Sequence, residues 1–308
     1  MPRPLTLVLT AAPGSGAVTG SVVKTALGSL PVDVAEARWL SPEDAWEARF
    51  VVEPDLDQAA LRDTIVEAIG AAPVDVNIVA GDAATRRKQL LAADMESTII
   101  EQELIDEMAG LVGCRAEIAA ITEAAMRGEV GFESALVRRV ALFAGLEESR
   151  LEAILARATF MPGAETLLAT MRAHGARTVL VSGGFTIFAE RIAGRLGFHI
   201  VHANVLETNA GRLSGRVREP ILGPEGKADV LLRLAAEAGL AASQTLAVGD
   251  GANDLAMVAE AGLGVAFRAK PVLAAEAREL NTGAVITHGD LTALLYLQGY
   301  DKESFCQP

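Results

Sequence analysis

Four short stretches of the chain carry side chains that could do chemistry together. Asp94 and Glu96 stand two apart at the end of the apolar run LLAA. Ser182, Gly183 and Gly184 end the run TVLV. Asp250, Gly251, Asn253 and Asp254 follow TLAVG or lie within its turn, and Lys227 follows the loop LGPEG. Carboxylates gathered in a partly buried place cannot all stay ionised unless a cation joins them. Asp94, Asp250 and Asp254 together therefore call for a hard divalent ion with oxygen ligands, and Mg²⁺ suits that donor set. Glycines beside Ser182 and Asp250 let backbone N–H groups come close to an anion. Lys227 adds the positive charge that a phosphate needs. Taken singly, each has a plain explanation: solvated acids at a strand end, a polar turn, a surface lysine. The chemical reading depends on all of them meeting at one place.

A sheet could bring them there. From residue 164 the pattern alternates: helix 164–174, strand 178–182, helix 186–196 and strand 199–204. A hairpin over 205–217 follows, with 209–211 at its tip. Then come helix 227–238, strand 245–248, helix 253–261, strand 264–267, helix 272–280, a strand from Val285 and a terminal helix over 291–297. Such alternation predicts an α/β fold: a Rossmann-like, mainly parallel sheet with helices on both faces. Ligands of such sheets bind at the carboxyl ends of the strands, where all three polar runs lie. Residues 101–160 have helical spacing only, in segments 101–109, 116–127, 132–143 and 146–158, with Gly113, Gly128, Gly131 and Gly145 between them. They read as an inserted helical cap, and Met161-Pro162-Gly163 marks the return.

Residues 1–83 read as a separate α+β unit of order βαββαβ, a ferredoxin-like sheet. Its strands fall at 5–10, 32–40, 48–52 and 74–80, and its helices at 21–30 and 61–69, with Asp55 or Asp57 as a cap. It carries no clustered catalytic groups, so it is expected to bind, regulate or dimerise. Residues 81–89 are expected to form a linker or a short linking helix. The catalytic core is then 84–100 with 161–308, and the cap 101–160.

Composition narrows the partners. A net charge of −13 makes a nucleic-acid partner unfavourable, although a local site can still attract a small anion. Hydrophobic residues make up 51% and aromatic ones 4%, so the core must be largely aliphatic. Cys114 and Cys306, the two cysteines, give no disulfide framework and no metal spacing, as expected of a reducing cytoplasm. His199 and His202, three apart in a strand pattern, would face opposite sides and are unsuited to share a metal. The stretch LTLVLTAA runs into a Gly/Pro/Ser loop and reads as a first strand rather than a signal-peptide core. No stretch approaches a membrane span of about 20 apolar residues.

DMEST, SGGF, Lys227 and GDGAND resemble, in order and spacing, the four motifs of haloacid dehalogenase-superfamily phosphatases. EQELIDEMA, ITEAAMRGEVGFESALVRRV, MPG, VSGGFT and VGDGANDLAM extend the likeness to the phosphoserine phosphatases among them, over about 94–270. Residues 1–83 resemble, by topology alone, the ACT-like domain of longer bacterial members.

The resemblance implies Mg²⁺-dependent hydrolysis of O-phospho-L-serine, the last step of serine biosynthesis. It makes Asp94 the nucleophile that becomes an aspartyl phosphate, and Glu96 the general acid and then base. It places Mg²⁺ between Asp94, the backbone carbonyl of Glu96 and Asp250, with Asp254, Gly251, Gly184 and Thr98 in support. Ser182, Gly183, Lys227 and Asn253 would hold the phosphoryl group. From the cap, Glu103 would meet the substrate amino group and Arg139 its carboxylate, by a bidentate fork. Met126 and Phe132 would close over the site. ACT-like sheets often pair, so a homodimer through the N-terminal domain is the expected assembly, with no membrane or nucleic-acid partner.

One residue departs from the pattern: Glu96 stands where the family has Asp. The carboxylate remains, but on a longer arm. Two alternatives stay open: a phosphatase or phosphotransferase for another small phospho-amino acid, and a catalytically impaired amino-acid sensor.

Overall fold

The computed structural model describes residues 2–81 and 85–307. The N-terminal unit comprises β1 (Arg3–Ala11), α1 (Gly20–Gly28), β2 (Val34–Ser41), β3 (Ala45–Val52), α2 (Gln58–Ile69) and β4 (Val74–Ala80). Its antiparallel sheet has the order β2-β3-β1-β4, as expected of a ferredoxin-like unit. Asp57, not Asp55, caps α2, accepting the Ala60 N–H at 3.0 Å.

The alternation along β1 explains why this unit does not stand apart. Leu5, Leu7 and Leu9 join Phe50, Ile65 and Ile78 in a core beneath the unit's own helices. Val8 points to the other face and enters the main core. Leu40, Ala45 and Val79 do the same, beside Leu294 and Leu297. The sheet is therefore buried on both faces, which suits the continuous apolar run LTLVL. Of the expected linker, residues 82–84 lie outside the described residues, and 85–89 form no helix.

The core begins with β5 (Leu90–Ala93). The cap follows as α3 (Leu104–Val112), α4 (Arg115–Met126), α5 (Phe132–Ala141) and a 3₁₀ turn (Glu148–Leu151) that runs into the single-turn α6 (Glu152–Leu155). The chain returns through α7 (Ala164–Ala173), β6 (Arg177–Phe185), α8 (Thr186–Leu196) and β7 (Ile200–Asn204). It then forms the hairpin β8 (Leu206–Asn209) and β9 (Arg212–Val217), followed by α9 (Pro224–Glu237) and β10 (Thr245–Gly249). The last elements are α10 (Leu255–Glu260), β11 (Gly264–Phe267), α11 (Pro271–Glu279), β12 (Gly283–Ile286) and α12 (Ala293–Leu297). The main sheet runs β12-β11-β10-β5-β6-β7, with parallel pairing throughout. β5 thus lies between β10 and β6, so the three polar strand ends are neighbours.

Three helical expectations need correction, each for a tertiary reason. The segment 101–109 turns helical only at Leu104. Its first residues are instead tied to the segment that returns from the cap: Glu101 N–H donates to Thr159 O at 3.1 Å, and Thr159 N–H donates to Gln102 Oε1 at 3.0 Å. The segment 146–158 is not one helix. Leu213 N–H donates to Leu146 O, and Gly145 N–H to Leu213 O, both at 2.8 Å, so β9 draws 145–147 into extended pairing. The segment 253–261 starts as a 3₁₀ turn (Ala252–Asp254), because the Asp254 carboxylate accepts the N–H groups of Asp250 and Gly251. At the cap's return, Gly163 has φ +84, and a Cβ there would stand 2.7 Å from Thr292 N. Both facts require glycine.

Candidate active site

Asp94 continues β5 by one residue, its N–H donating to Val248 O at 3.0 Å. The ladder therefore fixes its backbone and leaves the side chain at the sheet's carboxyl edge. Lys227, in the first turn of α9, donates from Nζ to Asp94 Oδ1 at 2.6 Å and to Asp254 Oδ1 at 2.7 Å. Lys227 is 1% exposed and Asp254 wholly buried. A buried lysine is tolerated here because two carboxylates meet it. Burial works against its charge, but Asp94 and Asp254 outweigh burial and raise its pKa.

The three aspartates are not equivalent. Oxygens of Asp94, Asp250 and Asp254 lie within 4.8 Å of one another, an all-oxygen set that suits Mg²⁺. Both Asp254 oxygens are already used, one by Lys227 and the other by the Asp250 and Gly251 N–H groups at 3.1 Å. Asp254 therefore holds the lysine and shapes the loop, leaving Asp94 and Asp250 as the better metal ligands. Burial pushes the Asp94 carboxyl up to about 7, with Asp254 adding to the rise and Lys227 opposing it. Burial raises Asp250 too, against Lys270, whose Nζ sits 3.2 Å from its Oδ2. An added cation would relieve this crowding of negative charge.

On the other side of β5, β6 runs straight through Ser182-Gly183-Gly184. The Ser182 hydroxyl is buried and accepts the Gly184 N–H at 2.9 Å. A Cβ on Gly184 would lie 2.8 Å from Glu96 Oε2, and one on Gly183 would lie 3.2 Å from the Phe132 ring. The two glycines leave room for side chains that reach their backbone from two other elements. Asn204, at the end of β7, donates to Gly183 O at 2.9 Å and accepts the Leu222 N–H at 2.7 Å. It joins the glycine pair of β6 to the loop that leads into Lys227.

Glu96 reaches toward the cap. Its Oε1 accepts the Leu104 N–H at 2.7 Å, an unsatisfied donor of the first turn of α3. Burial pushes the Glu96 carboxyl up to about 8, Glu103 and Asp94 add to the rise, and the Leu104 N–H opposes it. A carboxyl that keeps its proton near neutrality can act as a general acid. Glu103 accepts the Ser97 hydroxyl at 2.8 Å.

These elements enclose a cavity of about 440 Å³. Asp94, Glu96, Gly183, Gly184, Asp250 and Asn253 line its core side, and Glu103, Phe132 and Arg139 its cap side. Ser182, Lys227, Thr98, Gly251 and Asp254 are buried rather than lining it. The Met126 side chain lies outside the described residues. Two residues escaped the sequence reading. Lys270 lines the cavity, and Asn204 braces it. Lys270 follows β11, itself a strand of the same sheet, so the strand-end rule could have found it. Asn204 ends a strand in the same way but carries no glycine signal. His199 and His202 meet no metal cluster among the described residues; His199 Nδ1 instead contacts Thr178 at 3.0 Å.

Comparison with known proteins agrees with this geometry. The haloacid dehalogenase-like hydrolase family matches residues 91–259. The chain is 43% identical to a phosphoserine phosphatase of Streptomyces coelicolor over 243 residues, 79% of this chain and 58% of that protein. It is 38% identical to phosphoserine phosphatase SerB2 of Mycobacterium tuberculosis over 284 residues, covering 92% of this chain and 68% of that one. Among solved structures, a probable phosphoserine phosphatase from Vibrio cholerae superposes with a TM-score of 0.75 at 28% identity, covering 97% of this chain and 88% of that one. The chain thus spans little more than half the length of the Streptomyces relative. The buried Asp94–Lys227–Asp254 arrangement, the neighbouring strand ends and these matches lead to one assignment: the chain belongs to the haloacid dehalogenase-like hydrolase family.

Proposed function

We propose that this hydrolase is a Mg²⁺-dependent phosphatase that converts O-phospho-L-serine to L-serine and phosphate through an aspartyl phosphate. One observation carries the reading. One cavity is lined from the core by Asp94, Gly183 and Asn253, groups suited to a phosphate and its metal, and from the cap by Glu103 and Arg139, groups suited to an ammonium and a carboxylate. Relatives named phosphoserine phosphatase support it.

In this account an Asp94 carboxylate oxygen attacks phosphorus, and the serine oxygen leaves with the Glu96 proton. Glu96, now ionised, takes a proton from water, which attacks the aspartyl phosphate and regenerates Asp94. Lys227 and the glycine-turn N–H groups stabilise the oxygens that gain charge. Asp94, Asp250 and the Glu96 carbonyl would hold Mg²⁺, which when bound neutralises phosphoryl charge. Arg139 would take the substrate carboxylate and Glu103 its ammonium. Phe132 narrows the entrance and excludes water.

The division of labour follows: 1–83 an ACT-like regulatory or dimerising domain, 84–100 with 161–308 the catalytic core, and 101–160 the cap. No described helix is long and apolar enough to cross a membrane, and a cytoplasmic biosynthetic enzyme fits that and the free Cys114 and Cys306.

Phosphate release from O-phospho-L-serine, phosphothreonine and phosphoethanolamine, each with and without Mg²⁺, tests the reading. Preference for phosphoserine with Mg²⁺ is expected, and equal rates on all three would remove the substrate assignment. The Glu96–Leu104 bond favours a second reading, an amino-acid sensor with impaired catalysis. Such a protein would bind serine and release no phosphate.

A further inference from the structure

The seam between the N-terminal unit and the core contains an unusual side chain. Gln58 and Arg62 lie one turn apart on α2, so they share a face. They are 1% and 3% exposed. Gln58 Nε2 donates to Ile78 O at 2.7 Å and to Asn281 O at 3.1 Å, which places this face against the segment joining α11 to β12. Nε, Nη1 and Nη2 of Arg62 have no hydrogen-bond partner among the described residues, nor has Gln58 Oε1. A guanidinium offers five N–H donors, and burying it unpaired is costly.

The same seam satisfies its polar groups along β4. Asn77 Oδ1 accepts the Val285 N–H at 2.8 Å, and Asn77 Nδ2 donates to Val285 O at 3.0 Å. Asp75 accepts the N–H groups of Thr287, His288 and Gly289. Arg62 and Gln58 Oε1 therefore stand out from the well-paired groups along β4. Burial is the largest influence on its pKa and lowers it; Arg278 adds to this, while Asp63 and Glu279 oppose it. Arg278 is exposed at the end of α11 and makes no ion pair with a described residue. Two guanidiniums thus lie within electrostatic reach of each other with no carboxylate bonded to either.

We infer that this α2–α11 seam binds a small oxyanion, with Arg62 as its buried anchor and Arg278 as its outer arm. Gln58 Oε1 accepts a hydroxyl, so a hydrogen-phosphate group fits better than a plain carboxylate. Exposed Arg278 and Glu279 flank it within electrostatic reach of Arg62. Glu279 and the carboxyl end of α11 oppose an anion, which makes the affinity modest. The site lies at the amino end of β12, the edge strand, whereas the catalytic cavity lies at the carboxyl ends of β5 and its neighbours. It does not rest on the proposed reaction.

The test is hydrogen exchange of the full, metal-free chain during titration with inorganic phosphate, and separately with acetate. Phosphate should slow exchange in 58–69 and 271–282 in the wild type but not in Arg62→Met. Segments 94–104 and 182–185, in the catalytic cavity, should respond alike in both. Arg278→Met should weaken the seam response by about tenfold, and Glu279→Gln should strengthen it. In phosphate-free buffer, Arg62→Met should melt at or above the wild type. Acetate should act more weakly than phosphate; an equal or stronger acetate response makes the ligand a carboxylate and overturns the phosphate preference. An identical seam response in wild type, Arg62→Met and Arg278→Met overturns the site. So does destabilisation by Glu279→Gln without any phosphate effect, which would make Glu279 the partner of Arg62.

Discussion

Glu96→Gln separates the hydrogen bond that Glu96 makes from the proton transfer proposed for it. Glutamine keeps an oxygen for the Leu104 N–H, 2.7 Å away, and nearly the same shape, but it cannot shuttle a proton. Loss of general acid–base catalysis should lower kcat by roughly 10²–10⁴-fold. The second step, which needs a base for water, should suffer as well, so phosphoenzyme should accumulate. Stability should move the other way. The Glu96 pKa is raised from 4.5 to about 8, by burial first and by Glu103 next. Below the lower value the acid is protonated in both folded and unfolded chains. As pH rises, the unfolded chain ionises while the folded one holds its proton, and folding weakens until about pH 8. The simple limit is ~1.4 kcal/mol per pH unit. Glu96 also borders the open cavity, where solvent reduces the effect, so roughly 1–3 kcal/mol in favour of the variant is expected at pH 8. Rapid-quench kinetics with radiolabelled phosphoserine measures the first effect, and urea unfolding of metal-free protein at pH 5 and pH 8 the second. A kcat within about tenfold of wild type would refute the acid–base role. A variant less stable than wild type at pH 8 would refute the electrostatic reasoning.

Other expectations follow from the same geometry. Asp94→Asn should abolish turnover yet keep a native melting profile, because Lys227 retains Asp254 at 2.7 Å; substantial phosphate release would remove the nucleophile assignment. Arg139→Ala should raise KM for phosphoserine by roughly 10–100-fold, the worth of a charged hydrogen-bond pair, and leave phosphoethanolamine unchanged. Equal effects on both substrates would move Arg139 out of carboxylate recognition. Asp75→Ala strands the N–H groups of Thr287, His288 and Gly289 and should cost about 2–4 kcal/mol in urea unfolding. An unchanged midpoint would mean that water replaces the carboxylate.

The three polar strand ends were legible in the sequence because strand, turn and chemistry coincide there. LLAAD and TLAVGDG each join an apolar strand to a polar turn, TVLVSGG continues as strand through its glycines, and a parallel sheet sets the three side by side. The cap boundaries were less legible. Residues 101–102 and 145–147 have helical spacing, but Thr159 holds the Glu101 N–H and the Gln102 side chain, and β9 takes the backbone of 145–147 into extended pairing. Local periodicity carries no information about such distant partners. The docking of the N-terminal sheet was hidden for a related reason. Val8 and Leu9 look alike in sequence, yet they enter different cores. Arg62 was least legible of all, since a charged residue on an amphipathic helix ordinarily faces water. The position of the Glu96 carboxylate was not legible either: its longer arm spans from Gly184 to the first turn of α3.

The most direct test of the proposed reaction is the fate of the phosphoryl group. Glu96→Gln protein is mixed with radiolabelled phosphoserine and Mg²⁺, quenched in acid, digested and mapped. Label is expected on the peptide that carries Asp94, absent without Mg²⁺ and absent when Asp94 is also replaced by Asn. Label on another residue, or phosphate release with no covalent label at any time, would contradict the proposed reaction.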